Sequence, residues 1–362
     1  MNDVLAAYGL DPQLVNVQPH GSGHINKTYL VRNHASNHAS GQGLILQRIN
    51  TYVFKQPEII AQNHRLTHAY LAQRFPEYLF LPAIRTINDQ EMFWHGDEVW
   101  RLMAFVPDTV TLDQADSPKQ AYEAARQFGR FARLVSDIDL SEFQPTIPHF
   151  HNLSLRFEQF QHALEGAEVQ RKTHAAAEID AFVRHADIAT TYQKLVSAGH
   201  LRDRLMHHDT KISNVLLREG SYEGVCVIDL DTLMPGKVIS DLGDMVRTYV
   251  CPVSEEERDV RKVTVREDYF AALVDGYLTE LGAVLTAAER EHLFYAGQFM
   301  VYMQGIRFLA DYLNGDKYYP IEYPEHNLNR ARNQLALLEC LNEKEMSLQR
   351  IIREKLREPV TS

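Results

Sequence analysis

Cysteine is scarce in this 362-residue chain: only Cys226, Cys251 and Cys340 are present. They are odd in number, far apart and never in a CxxC pair, so a disulfide framework is excluded as an organising device and a reducing, cytoplasmic setting fits. No Cys/His array at zinc spacing occurs, although there are 17 histidines. No apolar run reaches about 18 residues, the length a membrane helix needs, and the N-terminus has no signal-peptide pattern. Positive charge is also short: 37 Lys and Arg face 48 Asp and Glu, a formal net charge of -11. That balance argues against a nucleic-acid or anionic-membrane binder, both of which need a basic face. No solenoid-period repeat and no long linker is present.

What remains is an ordinary globular composition, 45% hydrophobic and 23% charged. The length favours two lobes over one small core. Residues 1–105 read as roughly five strands and one helix. Strand patterns "LVNVQPH", "KTYLVRN" and "LILQRIN" precede the helical "QPEIIAQNHRLTHAYLAQRF", and "EMFWHGDEVWRLMAFVP" reads as two strands around a His-Gly-Asp turn. Residues 106–362 are helical in pattern, beginning with the Ser-Pro start of "SPKQAYEAARQFGRFARLVSDI". Within them, residues 205–227 form a short β-like insert. The expected fold is therefore α+β and bilobal, with the hinge near residues 105–108.

The insert holds the densest chemistry, "LMHHDTKISNVLL". Four residues lie between Asp209 and Asn214, His207 stands two before the Asp, and Lys211 two after. Asp229 follows fifteen residues after Asn214, in "VIDLD". This is the spacing of a kinase catalytic loop with its later metal carboxylate. Such chemistry needs one carboxylate at the acceptor hydroxyl, and an amide and a second carboxylate on Mg²⁺. Asp209 is the expected base. Lys211 is placed to offset charge on the γ-phosphate, Asn214 and Asp229 are expected metal ligands, and Asp231 and Asp244 can serve as a further ligand or as support. Asp241 reads as a structural residue that caps a helix and holds this loop. Only eleven residues separate Asp229 from Asp241, too few for a peptide-docking activation segment, which favours a small acceptor.

These motifs, with "GSGHINKTYLV", "HFHNLSLRFEQF", "RFLADYLNGDKYY" and "YPEHNLNRARNQ", span nearly the whole chain. The chain resembles the aminoglycoside phosphotransferase and choline kinase superfamily, and within it the bacterial N-acetylhexosamine 1-kinases. The resemblance implies a protein-kinase-like fold, ATP as co-substrate, Mg²⁺, and phosphoryl transfer to the anomeric hydroxyl of an N-acetylhexosamine such as GlcNAc or GalNAc. Gly21, Ser22 and Gly23 would approach nucleotide phosphate. Met103 and Phe105 lie where the inter-lobe strand would sandwich adenine. His24, Arg307 and Tyr318 shift toward sugar contacts, and His149, His151 and Arg156 do so more weakly. Residues 1–105 would then be the nucleotide-binding lobe. A sugar and ATP are the expected partners, with the chain a monomer or weak dimer.

Two departures stay open. The strand position that holds lysine in kinases carries Gln47, so Arg48, or Lys211 with Mg²⁺, must supply the charge. Arg307 either pairs with Asp311 four residues on or points into a polar pocket. Other acceptors (another sugar, an aminoglycoside, an amino alcohol) and a silent nucleotide-binding scaffold are the competing readings.

Overall fold

A computed structural model describes residues 1–21, 25–33 and 43–357. Two compact units emerge, and neither is one continuous run. The first comprises residues 1–113, 137–148 and 214–235; the second comprises residues 114–136, 149–213 and 236–362.

The first unit is built on a five-stranded antiparallel sheet of order β1-β2-β3-β5-β4. Its members are β1 (Val15–Pro19), β2 (Lys27–Asn33), β3 (Leu44–Ile49), β4 (Phe93–His95) and β5 (Glu98–Ala104). Residues alternate between the two faces, as period-2 geometry requires. One face carries Val31, Leu46, Trp100 and Leu102 into a core shared with Val4, Leu5 and Tyr8 of helix α1 (Asn2–Ala7) and the turn after it. The Tyr8 hydroxyl donates to the Trp100 carbonyl at 2.8 Å and fixes α1 there. The opposite face carries Leu30, Ile45, Gln47, Arg101 and Met103. Helix α2 (Pro57–Arg74) begins at a proline, whose missing N–H costs nothing at a first helical turn. A small antiparallel sheet of Thr109–Val110, Val215–Arg218 and Gly224–Val227 completes this unit.

Helices dominate the second unit. They are α3 (Pro118–Leu134), α4 (Leu153–Gly166), α5 (Val169–His174), α6 (Ala176–Arg184), α7 (Asp187–Ser197), α8 (Val238–Tyr249), α9 (Glu267–Leu281), α10 (Ala287–Glu291), α11 (Leu293–Leu313), α12 (His326–Glu343) and α13 (Glu345–Arg357). The Ser117 side chain caps α3 by accepting from the Gln120 N–H. Helix α11 is buried almost throughout and packs against α4, α8 and α12. Gly243 permits the α8–α11 approach, because a Cβ there would lie 2.3 Å from the Ala296 carbonyl oxygen. That contact fixes the helix that holds the loop at residues 207–210.

The α+β reading matches this architecture, as do the five N-terminal strands. Two stretches of continuous helical pattern, residues 176–199 and 286–316, are each divided. α6 and α7 are separate, and α10 is set off from α11 by His292. The start of α10 is a capping box, with Thr286 and Glu289 each bonding the other's backbone N–H.

Candidate active site

The loop His207–Thr210 follows strand Arg204–Met206 in the second unit, and α8 holds it. The Asp241 carboxylate accepts from the His208 N–H at 2.8 Å and the His207 N–H at 3.1 Å. Asp244 accepts from the Thr210 N–H at 2.8 Å, the Thr210 hydroxyl donates to the Asp241 carbonyl at 2.7 Å, and the Tyr249 hydroxyl donates to the Thr210 carbonyl at 3.0 Å. His208 sits between these anchors at φ 66°, a left-handed conformation that costs a bulky residue on the order of 1–3 kcal/mol. A loop strained in this way persists only where its surroundings over-determine it, and here five bonds do so. Asp241 lies within α8 and does not cap it, for the N-cap position is Lys237, which has no side-chain cap bond. Burial pushes the Asp241 carboxyl up to about 6, against His207 and the two N–H donors. Asp244 is also raised, by burial first and by the nearby Asp209 charge, although Arg247 opposes this.

Asp209 is partly exposed beside this frame, with Lys211 Nζ 3.3 Å from its Oδ2. The His208 ring packs on Gly236, where a Cβ would meet Cε1 at 2.2 Å. It also meets the His151 ring, Nδ1 to Nδ1 at 3.4 Å. His151 stacks on Phe150 at 4.3 Å between centroids, and its pKa is held well below the ordinary value by burial and by the basic groups His208, Arg307, Arg247 and Arg156.

Arg307 lies over the Phe150 and Tyr319 rings at 5.9 and 5.6 Å and donates to Gln304 Oε1 at 3.0 Å. The Asp311 pairing does not form. Asp311 instead accepts the backbone N–H groups of Lys317, Tyr318 and Tyr319 at 2.9–3.0 Å, shaping the turn that carries Tyr318. Tyr318 is 61% exposed, against Tyr319 at 4.8 Å. Arg156 feels Arg307, Tyr319 and Tyr318, and burial lowers its pKa. Neither Arg307 nor Arg156 forms an ion pair with a carboxylate among the described residues. The second unit thus brings together Asp209, Lys211, Arg307 and Tyr318, with His151, Phe150 and Tyr319 added. Only the tertiary fold could reveal the His151–His208 contact.

In the first unit, Asn214 and Asp229 flank a hairpin whose strands pair Val215 with Val227, and the Ile228 N–H donates to the Asn214 carbonyl at 2.9 Å. Both oxygen-bearing side chains therefore stand at one end of it. Asp229 is exposed and left-handed, at φ 56°. Asp231 is buried: its Oδ1 lies 2.5 Å from Arg101 Nη1, and its Oδ2 accepts from Asn26 at 2.7 Å. Arg48 points to the sheet face away from Gln47, where it pairs with Glu98 beside a pocket of about 640 Å³ lined by Asn26, Lys27 and Asn50. The buried cation beside Gln47 is Arg101, which the sequence reading passed over. Its signal was present, as an arginine flanked by apolar residues within a strand needs a partner. Met103 and Phe105 follow Arg101 at spacings of two along the chain. Gly21 is left-handed at φ 77°, while Ser22, Gly23 and His24 lie outside the described residues.

Solved structures of similar fold include an aminoglycoside phosphotransferase from Alicyclobacillus acidocaldarius, at 13% identity and TM-score 0.63, covering 98% of this chain and 96% of that one. A microcompartment-associated aminopropanol kinase is 16% identical at TM-score 0.61, covering 96% and 97%. A spectinomycin phosphotransferase in complex with ADP and spectinomycin is 13% identical at TM-score 0.58, covering 94% and 96%. These likenesses show the fold, a small antiparallel-sheet domain with a larger helical region as in protein kinases. No described helix is long and apolar enough to cross a membrane. The profile of the phosphotransferase enzyme family matches residues 16–282, a stretch that contains the anchored Asp209 loop, Asn214, Asp229 and α8, and the chain belongs to that family.

Proposed function

We propose that this protein transfers the γ-phosphate of ATP to the anomeric hydroxyl of an N-acetylhexosamine, giving the sugar 1-phosphate and ADP. One observation carries the acceptor class. Near the His208–Asp209 corner of the second unit lie Phe150, His151, Arg307, Arg156 and Tyr319, beside the Arg247–Asp244–Glu255 cluster, and neither Arg307 nor Arg156 has a carboxylate partner among the described residues. A cationic acceptor, of the kind an aminopropanol kinase takes, meets the two unpaired guanidinium groups there. A neutral polyol with an acetamido group finds guanidinium donors and aromatic faces instead.

Asp209 orients the acceptor hydroxyl and takes its proton. Lys211 offsets charge on the transferred group. Arg307 and Tyr318 contact the sugar, and His24 is assigned there from the motif alone. Residues 1–105 serve the nucleotide, with Gly21, Ser22 and Gly23 toward phosphate and Met103 and Phe105 toward adenine. Residues 106–362 carry the catalytic loop and the acceptor pocket.

Asn214 and Asp229 are hard oxygen donors at one end of one hairpin, a set that suits Mg²⁺, which keeps several waters and binds through one or two carboxylates and substrate phosphates. When bound, the ion neutralises phosphate charge. The test is an ADP-release assay across free sugars, aminoglycosides and amino alcohols. Turnover of N-acetylhexosamines supports the reading; turnover of amino alcohols alone overturns it.

A further inference from the structure

On the sheet face away from the α1 core, three side chains from neighbouring strands form a row. Register places Thr28 opposite Gln47 and Gln47 opposite Arg101. Gln47 Nε2 donates to the Thr28 hydroxyl at 3.0 Å, which orients the amide so that its Oε1 faces β5. That oxygen accepts from Arg101 Nε at 2.9 Å and Nη2 at 2.7 Å. The third nitrogen, Nη1, is the one at Asp231, and Arg101 and Asp231 are both buried.

The segment around Asp231 is held from further sides. Asn26 binds Asp231 Oδ2, and its own Oδ1 accepts the Asn50 N–H at 3.0 Å. From α2, His64 Nε2 meets the Leu230 carbonyl at 3.0 Å and Asn63 donates to the Leu233 carbonyl at 2.8 Å. Asp229, two residues before Asp231, keeps its left-handed backbone at the edge of this clamp.

A buried ion pair gives little net stability, since desolvation offsets the Coulomb attraction. Its value lies in fixing geometry. A divalent cation at Asp231 would also stand against a buried guanidinium, where repulsion is screened far less than at the surface. We infer that Arg101 is a positioning residue for the segment that carries Asp229. It holds Asp231, and Asp231 in turn fixes the segment from which Asp229 meets the metal. Asp231 is then an anchor and no metal ligand. This rests on Asp229 binding metal, as proposed above.

The test uses the full-length protein and Arg101→Met, Arg101→Lys, Asp231→Asn and Arg101→Met/Asp231→Leu. ADP affinity is measured by calorimetry with and without Mg²⁺, beside thermal melts. The expected result is that Mg²⁺ strengthens ADP binding by wild type and that Arg101→Met and Asp231→Asn each lose about tenfold or more of that gain, since partners of metal ligands typically contribute 10–100-fold. The double variant does no worse than either single one, and Arg101→Lys lies between Arg101→Met and wild type, because lysine keeps the charge without the fork. Two results overturn the inference: Asp231→Asn losing the gain while Arg101→Met keeps it, or both shifting only the melting temperature. If Arg101→Met does not fold, Arg101→Lys and Asp231→Asn decide by the same comparison. Wild type that binds no ADP overturns the functional reading and this assignment with it, a result distinct from a wild type that binds while Arg101→Met is unchanged.

Discussion

The carboxylate of Asp241 spans two consecutive backbone N–H groups, those of His207 and His208, from one turn into α8. The residue following them is Asp209. A buried acid on a rigid helix therefore sets the direction of the proposed base, and its own ionisation makes that setting depend on pH.

Asp241→Asn tests this. The folded-state pKa is raised from 3.8 to about 6. Between those values the folded protein holds a proton that the unfolded chain has released, so wild-type stability falls as pH rises through the window. An asparagine does not titrate and accepts only one of the two N–H bonds properly. Melting temperature measured from pH 4 to 7 should show the wild type losing its advantage over the variant up to about pH 6, then a constant difference. A difference independent of pH would contradict the assignment.

Asp209→Asn keeps shape and removes the proton acceptor. kcat should fall about 10²–10⁴-fold, the usual contribution of a positioned general base. ADP affinity should stay unchanged by calorimetry. Retained turnover refutes the role.

Gly236→Ala places a methyl group 2.2 Å from the His208 ring. Overpacking of this kind costs about 1–3 kcal/mol. Chemical denaturation should show that loss, and kcat should drop because His208 precedes Asp209. A variant of wild-type stability would mean the ring has room to move.

Arg307→Met removes a guanidinium with no carboxylate partner among the described residues. A charged hydrogen bond contributes about 1.5–3 kcal/mol, so acceptor KM should rise about tenfold or more while ATP KM holds. Equal changes in both would point to a folding effect.

Much of this was legible in the sequence. Asp209, Lys211, Asn214 and Asp229 stand out as candidates by spacing, because the local backbone fixes how such residues are presented. Period-2 patterns gave the five strands, since one sheet face must be apolar. Arg101 was not legible as a site residue, because its partners Gln47 and Asp231 are distant in sequence and meet it only through strand register and a buried turn. The same is true of His208, which had no role until His151 and Gly236 were seen against its ring. Helical spacing offered Arg307 to Asp311, but three backbone N–H groups of the following turn compete better for that carboxylate. The breaks after Arg184 and Glu291 lack glycine or proline, though Thr286-Ala-Ala-Glu289 did carry a start signal.

The most direct measurement is phosphorus NMR on the product formed from ATP and an N-acetylhexosamine. The account predicts a phosphorus nucleus coupled to the anomeric proton and carbon, formed at one equivalent per ADP released. Phosphorus at any other hydroxyl, or no turnover of any hexosamine while an amino alcohol is phosphorylated, would contradict it.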